Sequence, residues 1–269
     1  MTTDKGPQTD LSNQKDEPLI LALDTSAGST GIALARGGEV IESLAVPGDE
    51  RRSERLWLDL CEVLQRAAVG VGAVDLFAVC VGPGGFTGLR VGLAAVKGLA
   101  AATNRPVAGV TSLEAAAATA DGATTVCAMV GAYKGEAYWQ LFSLDGRGLP
   151  VALSEPHVST STEALAQVAD SPEVVFVGDA AEANTDVIRK VAGPRFTDEP
   201  GGSGGGWRVR RATRSVAESV ARVAYLKWRQ GALETAAGVQ ALYVRPAEAE
   251  VKRSLGLLGS KIARSRRAD

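Results

Sequence analysis

Short unbroken apolar runs alternate with stretches of helical period along this chain. Leu19 to Leu23 is a continuous apolar run that reads as a buried strand, ending at Asp24-Thr25-Ser26. Gly28-Ser29-Thr30-Gly31 turns the chain. Ile32 to Ala35 and Val40 to Val46 then flank Arg36-Gly37-Gly38-Glu39 as the arms of a hairpin. From Ser53 the period lengthens. Leu56, Trp57, Leu60, Cys61 and Leu64 share one face, with Arg55, Asp59, Glu62 and Arg66 opposite, which predicts an amphipathic helix. Leu76 to Val81 is a second buried strand, followed by a glycine-rich turn and an Ala-rich helix. Thr111-Ser112-Leu113-Glu114 is a capping box that opens another helix.

A second block restarts the pattern. Thr125 to Val130 is apolar, Tyr133-Lys134-Gly135-Glu136 turns, and Ala137 to Leu144 reads as a strand. Asp145-Gly146-Arg147-Gly148 turns again into Leu149 to Leu153. Thr160 and Glu163 form a capping box for a helix to about Ala169, and Val174 to Val177 is a strand ending at Gly178-Asp179. Val216, Val220 and Val223 line one face of a late helix, with Glu218, Arg222 and Arg229 opposite. Strand, hairpin and helix therefore occur twice, from residue 19 and from residue 125, which predicts a layered α/β fold of two βββα-type lobes, the second reduced. The expected division is a disordered 1–18, an N-lobe 19–123, a C-lobe 124–245 whose late helix 213–230 packs back on the first lobe, and a basic flexible tail 246–269.

The most specific segment is Val81 to Gly92, V-G-P-G-G-F-T-G-L-R-V-G. Gly82, Gly84 and Gly85 permit a tight strand-to-helix turn, Pro83 fixes one torsion in it, and Thr87 stands where it would cap the helix. The segment is neither a Walker loop nor a G-x-G-x-x-G fingerprint. Gly88, Gly92, Ala95, Leu99 and Ala102 fall on one helical face small enough for another helix to approach. Arg90 and Lys97 make a narrow charged strip opposite.

Composition narrows the chemistry. The chain has 269 residues, is 45% hydrophobic and 22% charged, and carries a formal charge of −2, so no global charge draws it to nucleic acid or membrane. Its 3 cysteines form no CxxC pair and sit in apolar segments, which predicts buried reduced thiols. A single histidine, His157, reads as a surface loop residue. It excludes a His-rich zinc site and removes the usual base for Ser or Cys catalysis. The polar first eighteen residues read as neither leader nor anchor, and no stretch is apolar enough to span a bilayer.

Leu21-Ala-Leu-Asp-Thr-Ser26, Arg52-Ser-Glu-Arg-Leu56, Gly82-Pro-Gly-Gly-Phe-Thr-Gly-Leu-Arg-Val-Gly92 and Gly109-Val-Thr-Ser-Leu-Glu114 follow one another in the order and spacing of the TsaB (YeaZ) family, which this chain resembles over roughly residues 19–246. The likeness continues more faintly through Gly135-Glu-Ala-Tyr138, Leu153-Ser-Glu-Pro156, Val177-Gly-Asp179 and Leu242-Tyr-Val-Arg245. The resemblance implies an actin/Hsp70-like ATPase fold and a bacterial cytoplasmic protein. It implies a non-catalytic partner of the threonylcarbamoyltransferase TsaD that acts with TsaE in making threonylcarbamoyladenosine beside the tRNA anticodon. Pairing with TsaD, or with a second copy as a homodimer, would use the two N-lobe helices, here those from Ser53 and from Thr87. The interface residues so expected are Arg52, Leu56, Trp57, Leu60, Leu64, Thr87, Gly88, Arg90, Gly92, Ala95 and Leu99. Family members commonly carry His where Arg52 stands, Ser where Gly85 stands, and Asp-Ala-Arg where this chain has Gly131-Ala132-Tyr133.

In actin-like ATPases loops from both lobes face phosphate. Asp24, Thr25 and Ser26 with Gly82, Gly84 and Gly85 are the expected nucleotide or anion turn, the competing reading being a strand end whose polar side chains cap the turn. The second loop, Gly178-Asp179-Ala180-Ala181, lacks the glycines for close approach, and Asp179 reads as a helix N-cap. The expectation is therefore no catalytic residue, no metal, no cofactor of its own, and ATP or ADP at most at the joint with TsaD. Contact with tRNA is expected to be indirect or weak. An autonomous ATPase or small-molecule kinase of the same fold is the alternative.

Overall fold

The computed structural model describes residues 17–26, 29–47, 52–120, 122–198 and 206–245. Strands β1 (Leu19–Asp24), β2 (Ser29–Arg36) and β3 (Glu39–Pro47) form an antiparallel meander. β4 (Leu76–Gly82) and β5 (Val107–Thr111) add in parallel beyond β1, giving the order β3-β2-β1-β4-β5. β1 and β4 are buried on both faces, which is why they read as unbroken apolar runs rather than as alternation. Leu19, Leu21 and Leu23 point into a core covered by helices α1 (Arg52–Arg66) and α2 (Phe86–Thr103). Ile20 and Ala22 point to the opposite core, which helix α7 (Val216–Arg229) and helix α3 (Ser112–Ala117) cover.

The second sheet repeats the first. β6 (Val126–Gly131) is antiparallel to β7 (Glu136–Leu144) and parallel to β10 (Val174–Val177), as β1 is to β2 and β4. β8 (Pro150–Ala152) and β9 (His157–Thr160) pair with β7 on one side, and β11 (Trp207–Arg210) extends the other. Helices α4 (Ser161–Gln167), α5 (Asp179–Ala183) and α6 (Thr185–Ala192) cover one face, and α3 packs on the other while also touching β4 and β5. Two lobes of one strand order make this the actin/Hsp70-like fold.

The capping boxes at Thr111–Glu114 and Thr160–Glu163 form as the spacing predicts. A third, Ser215–Glu218, opens α7 and was not anticipated. Other expectations need correction. Thr87 does not cap α2: Gly85 is the N-cap, and Thr87 lies exposed in the first turn. Cys80 and Cys127 are buried but Cys61 is exposed, because it lies outside the α1 stripe that meets the core. His157 is at the surface as expected, but on a strand rather than a loop, its ring stacked on Trp139 at 4.8 Å. Val216 stands at the rim of the α7 stripe and is exposed.

Candidate partner-binding face and the glycine-rich turn

The two strongest sequence motifs clasp each other. The end of β1 lies across the start of α2: Gly85 N–H donates to Ser26 O at 2.7 Å, and Thr25 Oγ1 donates to Gly88 O at 2.7 Å. A Cβ on Gly84 would overlap Ser26 O, one on Gly88 would overlap Thr25 O, and one on Gly92 would overlap Thr25 Oγ1. Gly82, at φ +103°, sits where a side chain would meet Leu242 O and Leu89. Ser112 Oγ donates to Pro83 O at 2.7 Å, and Leu242 N–H donates to Val81 O at 2.8 Å, so the turn is held from three sides.

These bonds leave little for a phosphate. Asp24 is 2% exposed, and its Oδ1 accepts from Ser26 N–H at 2.9 Å and from Ser26 Oγ at 2.6 Å. Burial pushes the Asp24 carboxyl above its ordinary range despite those bonds. Burial, and then the Asp24 charge, push the Cys80 thiol upward as well. Burial alone pushes Cys127 up to about 12, so neither buried thiol is a nucleophile at neutral pH. On the other lobe Asp179 is the first residue of α5 rather than its N-cap, which is Gly178. Its Oδ1 accepts from Gly131 N–H at 3.0 Å and Ala180 N–H at 2.9 Å, and a Cβ on Gly178 would overlap Met129 O. Both loops thus make bonds within the chain. The residues of the expected anion turn, Asp24, Thr25, Ser26, Gly82, Gly84 and Gly85, come together as a packing junction. Among the described residues no group of three His, Cys, Asp or Glu is placed to hold a metal, and no helix is long and apolar enough to cross a membrane.

The helix faces divide differently from the expectation. Leu56, Leu60 and Leu64 are buried in the first lobe's own core, with Val63 between them, so they hold α1 to the sheet and are not free for a partner. Ala95 belongs to that core too, and Leu99 packs at its edge. Gly88 and Gly92 are covered by Thr25. The small face thus serves the approach of a loop from the same lobe, not of a second helix. Arg52 lies on α1, but its side chain is outside the described residues. What points outward is Trp57, 50% exposed, and Leu58, 67% exposed, with Cys61 one turn on. On α2 the outward residues are Thr87, Arg90, Ala94, Gly98 and Ala101. A Cβ on Gly98 would meet nothing within 4 Å. Both helices cover the same face of the sheet. Their outward sides carry an apolar ridge on α1 and a strip of small residues on α2.

Sequence reasoning missed what borders this surface. The segment after α7 returns to the first lobe, where Val239 enters the core and Tyr243 lies against Phe86 with ring centroids 5.4 Å apart. The Arg90 guanidinium sits 3.7 Å from the Phe86 ring centroid and its Nε donates to Tyr243 Oη at 3.3 Å. Arg245 pairs with Glu136 of the second lobe. The faint motifs at Gly135–Tyr138 and Leu242–Arg245, remote in sequence, therefore meet across the lobes. The only sequence signal for this was their joint presence.

Comparison with known proteins agrees with this architecture. The family described as TsaD, tRNA N6-adenosine threonylcarbamoyltransferase, matches residues 46–227, more than half of the chain. The chain is 32% identical over 133 residues to the tRNA threonylcarbamoyladenosine biosynthesis protein TsaB of Escherichia coli, covering 48% of this chain and 57% of that protein. It is 29% identical over 181 residues to TsaB of Bacillus subtilis, covering 65% and 77%. The match thus spans little more than half the length of the Escherichia coli relative. Among solved structures, YeaZ from Pseudomonas aeruginosa superposes with a TM-score of 0.64 at 26% identity, covering 84% of this chain and 99% of that one.

Proposed function

Because the chain belongs to the TsaB (YeaZ) family, within the wider family that TsaD defines, we propose that it is the TsaB-type subunit of a tRNA threonylcarbamoyladenosine complex. Its work is to bind and position a TsaD-type transferase, with TsaE as the third component, in the cytoplasm where tRNA is modified. It contributes no catalytic group. The observation that carries this reading is the outward side of α1, where Trp57 and Leu58 are exposed on a helix whose other side is fully seated in the core. Large apolar side chains side by side in water mark a surface built to be covered. Ala94, Gly98 and Ala101 of α2 let a partner helix come close beside them.

The alternative, an autonomous ATPase or kinase, is not favoured. Phosphoryl transfer needs metal and phosphate clamps together, and Asp24, Gly85, Gly178 and Asp179 already serve internal bonds and contacts. If ATP or ADP lies at the joint, its phosphates are held mainly by the partner. A homodimer through the same face competes with TsaD for it. Co-elution of the chain with TsaD on size exclusion tests the proposal. The native chain should shift into the heavier peak and the pair Trp57→Glu/Leu58→Glu should not, with circular dichroism unchanged. Equal co-elution of both would refute it.

A further inference from the structure

Arg90 stands in the second turn of α2 on its outward side, and it is exposed yet already held. Its guanidinium lies 3.7 Å from the Phe86 ring centroid, and its Nε donates to Tyr243 Oη at 3.3 Å. Tyr243 packs on Phe86 and is fixed by its neighbours in the chain. Leu242 N–H donates to Val81 O at 2.8 Å, and Arg245 pairs with Glu136 of the second lobe. An exposed arginine ordinarily loses rotamer freedom when a partner orders it. Here much of that ordering precedes the partner. Both Nη atoms remain without a hydrogen bond among the described residues. They are the end of the planar fork, an edge that meets a carboxylate with two parallel bonds.

The charges around Arg90 are one-sided. Helix α2 contains no Asp or Glu. Lys97 follows Arg90 by seven residues, two turns along the same side and about 10 Å away, and it makes no hydrogen bond or ion pair among the described residues. On α1 the carboxylates of Asp59 and Glu62 pair with Arg55 and Arg66 of the same helix. The unpaired charges among the described side chains of the two helices are therefore positive, which is complementary to an acidic face. Two cations so far apart are too few to follow a nucleic-acid backbone, whose binders make many phosphate contacts. They stand instead beside Ala94, Gly98 and Ala101, which admit a helix, and beside the half-exposed rings of Phe86 and Tyr243. An arginine among aromatic rings is the composition of a protein interface centre.

We infer that Arg90, positioned by Phe86 and Tyr243 and assisted by Lys97, takes a carboxylate on an acidic helical face of the TsaD-type partner. This rests on the function proposed above and names what that partner must present. The test is calorimetric titration of the full chain with TsaD at about 50 and about 300 mM salt, between which exposed charges are increasingly screened. Arg90→Ala should weaken binding about thirtyfold, as loss of an interface anchor does, with its melting curve unchanged. Arg90→Lys should recover only part of this, because it restores the charge without the fork. Lys97→Glu should weaken binding about threefold, chiefly at low salt. Tyr243→Phe should weaken it about threefold in the native chain and add nothing in Arg90→Ala, as a residue acting through Arg90 must. Arg90→Ala that binds TsaD as tightly as the native chain would overturn the inference. So would loss of self-association by Arg90→Ala with TsaD affinity intact, which would assign the arginine to a second copy. An equal loss from Tyr243→Phe in both backgrounds would overturn its positioning role. If the native chain itself fails to bind TsaD, the proposed function falls and this inference with it, whereas equal binding by native and Arg90→Ala refutes the inference alone.

Discussion

Thr25 settles what the glycines of the Val81–Gly92 segment are for. Its carbonyl and hydroxyl occupy the space that side chains on Gly88 and Gly92 would need. Gly92→Val should therefore destabilise the fold by about 2 kcal/mol or more, in the range of overpacked buried sites. Gly98→Ala, on the open side of the same helix, should stabilise it by up to about 1 kcal/mol. Urea melts of the two variants check both. The sequence showed that this helix has a small face. It could not show that the face is filled by a residue 63 positions away, because periodicity names a stripe and not its neighbour. Asp24 carries a pH signature. Burial raises its carboxyl above the ordinary value near 3.8, so its ionised form opposes folding. The protonated state costs nothing at and below that pH, and the stability it preserves is lost as pH rises through the raised value. Asp24→Asn keeps an acceptor for Ser26 and removes the charge. It should melt higher than the native chain at pH 7, with the gap closing as pH falls towards 4. A gap that is constant with pH would mean that the carboxyl titrates normally.

At the scale of the element, α1 separates two jobs on opposite sides. Leu60→Ala should cost about 2–5 kcal/mol, as deletion of a buried leucine does. Trp57→Glu/Leu58→Glu should change stability by no more than about 1 kcal/mol in total, since neither side chain is core. Chemical denaturation of both, beside co-elution with TsaD, distinguishes a folding defect from a docking defect. The amphipathic period, the hairpin, the two anticipated capping boxes and the buried strands were all legible, because each is written in contiguous residues. The helix α1 was legible as an element, and Trp57 does face outward, but its buried stripe was expected at a partner. Leu56, Leu60 and Leu64 were expected at a partner interface, but they belong to one core with Leu44, Val74 and Leu93.

At the scale of the molecule, the repeat of strand order is the strongest statement about ancestry and the loops are the strongest about function. Each lobe carries a loop at the end of a central strand, and Thr25, Ser26 and Asp179 tie these loops to their own lobes. The lobes are joined by α3, by α7 and by the Arg245–Glu136 pair, and the face proposed for a partner, on α1 and α2, lies on one side of the first lobe. The measurement that bears most directly on this is threonylcarbamoyl transfer to tRNA, reconstituted from TsaD, TsaE and this chain with ATP. Transfer should require the native chain and fall to the level without it when Trp57→Glu/Leu58→Glu is supplied instead, while the chain alone turns over no ATP. Full transfer supported by that variant would contradict the account.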